Sequence, residues 1–199
     1  MDTIEMIIDE SKEWSGVIDT LALTDTPAIE EEFVALSKEP VEVKLAEVDK
    51  ERRILMGAVL VPDKKILRRG KDGDYNIMFS KETILRASQI YLEKGNQHNT
   101  NLEHEVSLTG QTVVESWIIE DEVHDKSRMF GLNQPVGTWM VSMKVDNDEV
   151  WNEYVKTGKV KGFSIEGLFS GRLMKDKEVY MSALGKLKDY VETELKKYE

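Results

Sequence analysis

The stretch Gly137-Thr138-Trp139-Met140-Val141-Ser142-Met143-Lys144-Val145 places a large apolar side chain at every second position from 139 onward. Successive side chains of a β-strand point to opposite faces, so this period of two predicts a strand with one face in the core. Outward from it, segments 112–120 and 159–169 are apolar and rich in β-branched or aromatic residues. Both are also predicted to be strands.

Shorter strands are predicted toward the N-terminus, in apolar runs that end at turn residues. One further segment, 64–74, holds five Lys or Arg residues and two glycines and is predicted to be a turn-rich loop. The predicted strands cover 15–25, 33–36, 53–61, 75–79 and 102–106.

Three segments carry apolar residues at helical spacing. The first is 81–94, where Ser80 is suited to cap the N-terminus and Gly95 to end the helix. The other two are 147–158 and the amphipathic segment 182–199. We therefore expect about three helices beside a larger number of strands.

This set of elements predicts an α+β fold, mainly an antiparallel β-barrel with about three surrounding helices. A closed or nearly closed barrel would leave few unpaired strand edges. The length of 199 residues suits a single domain over 1–199. Its core is expected at about 15–175, followed by the C-terminal helix at about 182–199.

Composition narrows the classes of function. The 27 Lys and Arg residues against 38 Asp and Glu give a net charge of −11, which argues against a nucleic-acid-binding surface. No apolar run approaches the roughly 18 residues of a membrane span. The acidic start of the chain lacks the basic and apolar regions of a signal peptide, so we expect neither membrane insertion nor secretion.

Several kinds of catalytic chemistry are also excluded. The chain has no cysteine, which excludes disulfides, thiolate ligands and a cysteine nucleophile. It has no glycine-rich phosphate loop and no His-Glu-x-x-His motif, so we expect neither a cofactor nor a metal site. A serine nucleophile with an imidazole base is still open, and the chain has only three histidines.

Ser164 is the serine best suited to be a nucleophile. It lies on the predicted strand 159–169, and Gly162 and Gly167 on either side allow backbone N–H groups to approach a developing oxyanion. The alternative is a structural serine, with glycines that serve strand curvature. The residues alone leave both interpretations open.

Each of the three histidines has a structural interpretation as well. His124 lies in a charged segment and His98 in a polar stretch after a predicted helix, so both are expected at the surface. His104 lies in the short predicted strand 102–106, between the carboxylates of Glu103 and Glu105, and this placement favours it. It is therefore the best candidate for a general base, without excluding the others.

Three segments resemble tailed-phage prohead proteases of the XkdF-like branch. Segment 149–167 is similar to the helix and strand around their nucleophile, and 102–118 to their histidine strand and the strand after it. Segment 21–29, Leu-Ala-Leu-Thr-Asp-Thr-Pro-Ala-Ile, is similar to a strand-and-turn motif of the same proteins. The resemblance covers roughly residues 15–170.

This resemblance implies a serine endopeptidase with the barrel fold of herpesvirus assemblins, Ser164 as nucleophile and His104 as general base. Such families place an acid or a second histidine on the strand before the Pro-Ala turn, where this chain has Thr20. Asp19, one residue away, is our choice for a third catalytic member. Glu115 is the other candidate, and a Ser–His dyad is the remaining alternative.

The resemblance also implies a role in procapsid maturation. The substrates would be the phage scaffold and major capsid proteins, and the enzyme would cleave itself. It would act inside the assembling procapsid in the host cytoplasm, as a homo-oligomer on activation. The alternative is an inactive structural capsid-assembly protein that retains the protease fold.

Overall fold

The described part of the chain contains twelve strands, arranged in three four-stranded sheets. The computed structural model describes residues 1–29, 34–36, 52–70 and 73–174. The helix predicted at 182–199 lies outside these residues. The strands are β1 (Thr3–Ile7), β2 (Val17–Thr24), β3 (Val34–Leu36), β4 (Ile54–Leu60), β5 (Ile66–Gly70), β6 (Gly73–Phe79), β7 (Thr100–Leu102), β8 (Val106–Leu108), β9 (Gln111–Ile118), β10 (Trp139–Val145), β11 (Gly162–Leu168) and β12 (Ser170–Met174).

Strands from distant parts of the sequence are neighbours in each sheet. The strand orders are β12-β1-β6-β5, β3-β4-β10-β9 and β11-β2-β7-β8. Two of the pairings, β1 with β6 and β2 with β7, are parallel, and the others are antiparallel. The third sheet is the one that concerns function, since it carries both Ser164 and the turn with His104.

The central strand β10 is buried on both faces. Trp139, Val141 and Met143 have no exposed surface, and Met140 and Ser142 on the other face have none either. The period-two pattern predicted the strand correctly, but it predicted only one buried face. Covering elements lie on both sides of the sheet, which explains the difference.

The described residues contain one α-helix, α1 (Lys81–Glu93), where the sequence predicted 81–94. As expected, the Ser80 side chain accepts a hydrogen bond from the Thr83 backbone N–H and caps the helix. Tyr91 packs edge-on against Trp139 with ring centroids 5.4 Å apart, which fixes α1 on the β10 sheet. No helix in this part of the chain has the length and apolar composition needed to cross a membrane.

The second predicted helix, 147–158, is present as a short π-helix over Val150–Val155. Val150 and Trp151 are its buried residues and anchor it to the core. Six residues, 156–161, connect this helix to β11, the strand with Ser164.

The predicted α+β barrel with about three surrounding helices is wrong. The fold is mainly β, and among the described residues no sheet closes on itself. Each sheet has four strands, whereas barrels with packed interiors usually need about eight. The expected antiparallel neighbours do form most of the pairings, but the strands are divided among three separate four-stranded sheets.

Segment 64–74 also differs from its prediction as a loop. Most of it forms a β-hairpin in which β5 pairs with β6 in antiparallel register from Ile66–Ile77 to Gly70–Gly73. The charged side chains of Arg68 and Arg69 occupy the outer part of this hairpin, where solvent exposure is compatible with a strand. The basic residues and glycines of this segment therefore misled the prediction.

Candidate active site

His104 lies on a strained turn between β7 and β8, not within a continuous strand as predicted. Glu103 and His104 have φ angles of +52° and +61°, and the Glu105 N–H donates to the Leu102 carbonyl at 3.0 Å. Two successive positive φ angles are typical of a type I′ turn, which favours Asn and Gly. Each non-glycine residue in this region costs on the order of 1–3 kcal/mol. Such strain is concentrated at functional sites.

The side chain of Glu103 fastens this turn to the end of β2. Its two carboxylate oxygens accept hydrogen bonds from the Thr24 hydroxyl at 2.7 Å and the Asp25 backbone N–H at 2.8 Å. Its backbone N–H donates to the Leu23 carbonyl at 3.0 Å. These three bonds hold the backbone that positions His104.

The imidazole of His104 is held by Glu166 of β11. His104 Nδ1 lies 2.9 Å from Glu166 Oε1. The Asn101 amide of β7 donates to the same oxygen at 2.5 Å. Asn101 is buried, while the side chains of His104 and Glu166 are 38% and 40% exposed. Solvent and a ligand can therefore reach the pair, while the buried Asn101 side chain restrains Glu166 from the interior of the protein.

Ser164 lies on the same strand face as Glu166. The two residues are separated by one position on β11, and the register shift of that strand comes only after Glu166. Residues two apart on a strand share a face, with Cα atoms about 6.6 Å apart. The structure thus brings Ser164 and His104 to one face of one sheet, with no hydrogen bond between them.

Ala22 lies between Ser164 and Asn101 in this sheet. It is the register partner of Ser164 on one side and of Asn101 on the other. Directly paired residues on adjacent strands point to the same face. Ser164, Ala22 and Asn101 therefore form one row across the sheet, and Ala22 within it is fully buried.

The candidates for a third catalytic member lie in different places. Asp19 is exposed on β2, and alternation points it to the face opposite Thr20. Thr20 lines the same hollow as His104 and Glu166, whereas Asp19 does not. The structure therefore does not bring Asp19 to His104.

Glu115 lies in another sheet, on β9, and has other partners. It accepts hydrogen bonds from Lys126 Nζ at 2.8 Å and from the buried Ser142 hydroxyl at 2.5 Å. Both bonds lower the pKa of the Glu115 carboxyl, and the bond from Lys126 has the larger effect. The structure does not bring this residue to His104 either.

The other two histidines have separate contacts. His98 Nδ1 lies 3.0 Å from the Thr112 hydroxyl, and His98 lines the hollow that also contains His104. His124 is exposed and lies 2.9 Å from Asp121, where its hydrogen bond lowers the pKa of the Asp121 carboxyl to about 2. No group of three or more His, Asp or Glu side chains among the described residues could hold a metal ion.

Two spaces adjoin β11. The hollow with His104 and Glu166 has a volume of about 360 Å³ and a mostly polar lining. A second cavity of about 170 Å³ has Ser164 in its wall and is otherwise lined mainly by apolar side chains such as Phe163, Ile165 and Phe169. Ser164 thus forms part of the wall of this cavity, together with the charged side chain of Arg68.

Gly167 has a structural role in this strand. A Cβ at this position would lie 2.8 Å from the Val17 carbonyl oxygen of β2, at the register shift between Glu166 and Gly167. Only glycine permits this close approach of the two backbones. The alternative interpretation of the glycine, curvature of the strand, therefore fits at this position.

Sequence reasoning missed Glu166 and Asn101. Glu166 could have been found, because its spacing of two from Ser164 on a predicted strand places both side chains on one face. Asn101 offered no such signal, since its contact with Glu166 joins residues 65 positions apart.

A comparison with protein families identifies the chain. Residues 42–171 match the model of the family described as "Putative phage serine protease XkdF". No curated protein and no solved structure matched the chain. The matched region contains the histidine turn and the serine strand, with Asn101, His104, Ser164 and Glu166. The chain belongs to the XkdF family of phage serine proteases.

Proposed function

We propose that this chain is a serine endopeptidase of phage procapsid maturation, with Ser164 as nucleophile and His104 as general base. The observation that supports it most strongly is the placement of His104, which a strained turn and a hydrogen bond to Glu166 hold on the face of Ser164. Family membership agrees with a hydrolase that uses serine.

In the proposed reaction, the Ser164 hydroxyl oxygen attacks the scissile carbonyl while His104 Nε2 takes its proton. The tetrahedral intermediate collapses as the C–N bond breaks, and His104 returns the proton to the leaving amine. Water, deprotonated by His104, then hydrolyses the acyl-enzyme and releases the new carboxyl end. The proton returns to Ser164.

The proposed substrates are segments of the phage scaffold and major capsid proteins, and the chain itself. We expect the cavity whose wall includes Ser164 to receive a side chain of the cleaved segment. The enzyme would act inside the assembling procapsid in the host cytoplasm, where a homo-oligomer forms at high local concentration.

The test is co-expression of the chain with its scaffold and capsid proteins, followed by intact-mass spectrometry of the products. We expect cleavage with the wild type and none with Ser164→Ala. The matched control is Ser107→Ala, which alters an exposed serine in the hollow that contains His104 and should leave cleavage intact. Identical uncut products from the wild type and Ser164→Ala would instead indicate an inactive structural capsid-assembly protein.

A further inference from the structure

We propose that Glu166 is the third member of this site, a positioning residue that fixes the tautomer and orientation of His104, and that Asn101 fixes Glu166 in turn. The proposal rests on the proposed function, because it assigns a role in serine catalysis. Glu166 replaces Asp19, which was chosen from the sequence. The proposal is based on the contacts that Glu166 makes with His104 and Asn101.

The contact with Glu166 determines which nitrogen of His104 carries the hydrogen. An ionised carboxylate only accepts hydrogen bonds, so the 2.9 Å contact with Glu166 Oε1 requires the hydrogen to be on His104 Nδ1. A neutral imidazole carries one N–H, which leaves the lone pair on Nε2. Nε2 is the nitrogen on the far side of the ring from Glu166 and is the one free to take a proton from a serine.

The orientation of Glu166 depends on Asn101. Its Oε1 accepts from the Asn101 amide as well as from His104. Asn101 is 7% exposed and belongs to β7, where pairing with β2 fixes its backbone. The bond to Asn101 restricts the orientation of the carboxylate, and a hydrogen-bond partner that is itself held orients a histidine more precisely.

Glu166 lies beside the position in the sheet where the family resemblance implies an acid. Thr20, which has no charge, stands at the position where the resemblance implies an acid. Its register partner on the neighbouring strand is Glu166, and directly paired side chains share a face. The carboxylate therefore reaches the same side of the sheet from β11, the strand that also carries Ser164.

Other ionisable groups around His104 do not make this contact. Glu105 and His98 line the same hollow. Glu105 is exposed and has no side-chain hydrogen bond to another described residue, and His98 is bonded to Thr112. Glu103 is next to His104 in sequence, but both its oxygens are bonded to the end of β2. Glu166 alone among these groups bonds to the imidazole.

The first test reads the tautomer of His104 without reference to activity. Long-range ¹H–¹⁵N NMR spectra of the full chain, with the signal assigned through His104→Gln, distinguish a protonated Nδ1 from a protonated Nε2. We expect Nδ1–H in the neutral wild-type ring and a shift toward Nε2–H in Glu166→Ala. Asp19→Asn and Glu105→Gln should leave the signal unchanged. A wild-type Nε2–H form, or no change in Glu166→Ala, would overturn the proposal.

The second test compares cleavage rates of the same variants in the assembled state. Glu166→Ala should slow cleavage by about 10²- to 10⁴-fold, while both control variants cleave at the wild-type rate. Cleavage that needs Ser164 but proceeds at full rate in Glu166→Ala would contradict the role of Glu166 and leave the proposed function intact. Absence of cleavage in the wild type would contradict the proposed function, and the tautomer measurement would then decide the role of Glu166 separately.

Discussion

Glu166 and Glu115 make similar contacts in different surroundings. Each carboxylate lies on a strand and accepts hydrogen bonds from two side chains. The partners of Glu115 are Lys126 and the buried Ser142, which is also its register partner on β10. The partners of Glu166 are Asn101 and His104, on the strained turn.

The two clusters differ in the side chain that is paired with the carboxylate. Glu115 forms an ion pair with Lys126, and its hydrogen bond to Ser142 joins β9 to β10. The partner of Glu166 is an imidazole, the side chain best suited to take and return a proton near pH 7. Two carboxylates with the same number of contacts thus differ in chemistry because of one partner.

The largest expected effect comes from His104 itself. His104→Gln removes the proposed base and should reduce cleavage by at least about 10³-fold, as in other serine sites where the nucleophile and base act as one unit. Rates of scaffold cleavage measured by gel or mass spectrometry check this. His98→Gln, which alters the other histidine of the same hollow, is the control. Equal loss in both variants would indicate a general effect on the hollow.

A smaller effect is expected from the clamp on the turn. Glu103→Ala removes the acceptor of two hydrogen bonds, from Thr24 and Asp25, and frees a turn whose backbone is strained. We expect a loss of about 1–2 kcal/mol in the free energy of unfolding and about 10-fold slower cleavage because His104 is less well positioned. Denaturant unfolding and cleavage assays measure the two effects. Glu105→Ala on the same turn should change neither, and a full cleavage rate in Glu103→Ala would show that the clamp is dispensable.

The smallest effect is expected at Glu115, and on stability only. Its carboxyl is 49% exposed, so after allowance for solvent screening Glu115→Gln should cost about 1 kcal/mol of unfolding free energy at pH 7. Cleavage should be unaffected. Glu115 has a lowered pKa when folded, so its stabilisation is present above the unfolded pKa of about 4.5 and is lost as the pH falls through the folded pKa.

Denaturant unfolding of wild type and Glu115→Gln at several pH values checks this sign. The difference between them should be largest at neutral pH and should shrink on acidification below about pH 4.5. A difference that grows on acidification, or a loss of cleavage in Glu115→Gln, would contradict the separation of the two clusters.

The sequence predicted most strands and α1 because local patterns determine them. Ser80 and the apolar spacing of 81–94 are local signals, and so is the alternation in β10. The N-terminal strand β1 was not predicted, since it has only five residues and its partners β6 and β12 lie far away in the sequence. The false barrel had the same origin, because pairings between distant segments cannot be deduced from periodicity.

For the site as well, the sequence predicted the residues with local signals but not the contacts between distant segments. Ser164 and His104 lie in segments with local and family-like signals, and the structure brings them to one face. The contact between His104 and Glu166 joins residues 62 positions apart and depends on where the turn places the imidazole. Sequence reasoning looked for the third member at Asp19, Thr20 or Glu115, and the register of β2 and β11 was needed to single out Glu166.

The central claim is that His104 activates Ser164. The most direct measurement is labelling of the assembled protein with a fluorophosphonate probe, followed by mass spectrometry that maps the modified residue. The account predicts one adduct at Ser164 in the wild type and its loss in both Ser164→Ala and His104→Gln. An adduct at another serine, or no adduct in assemblies that cleave their scaffold, would contradict it.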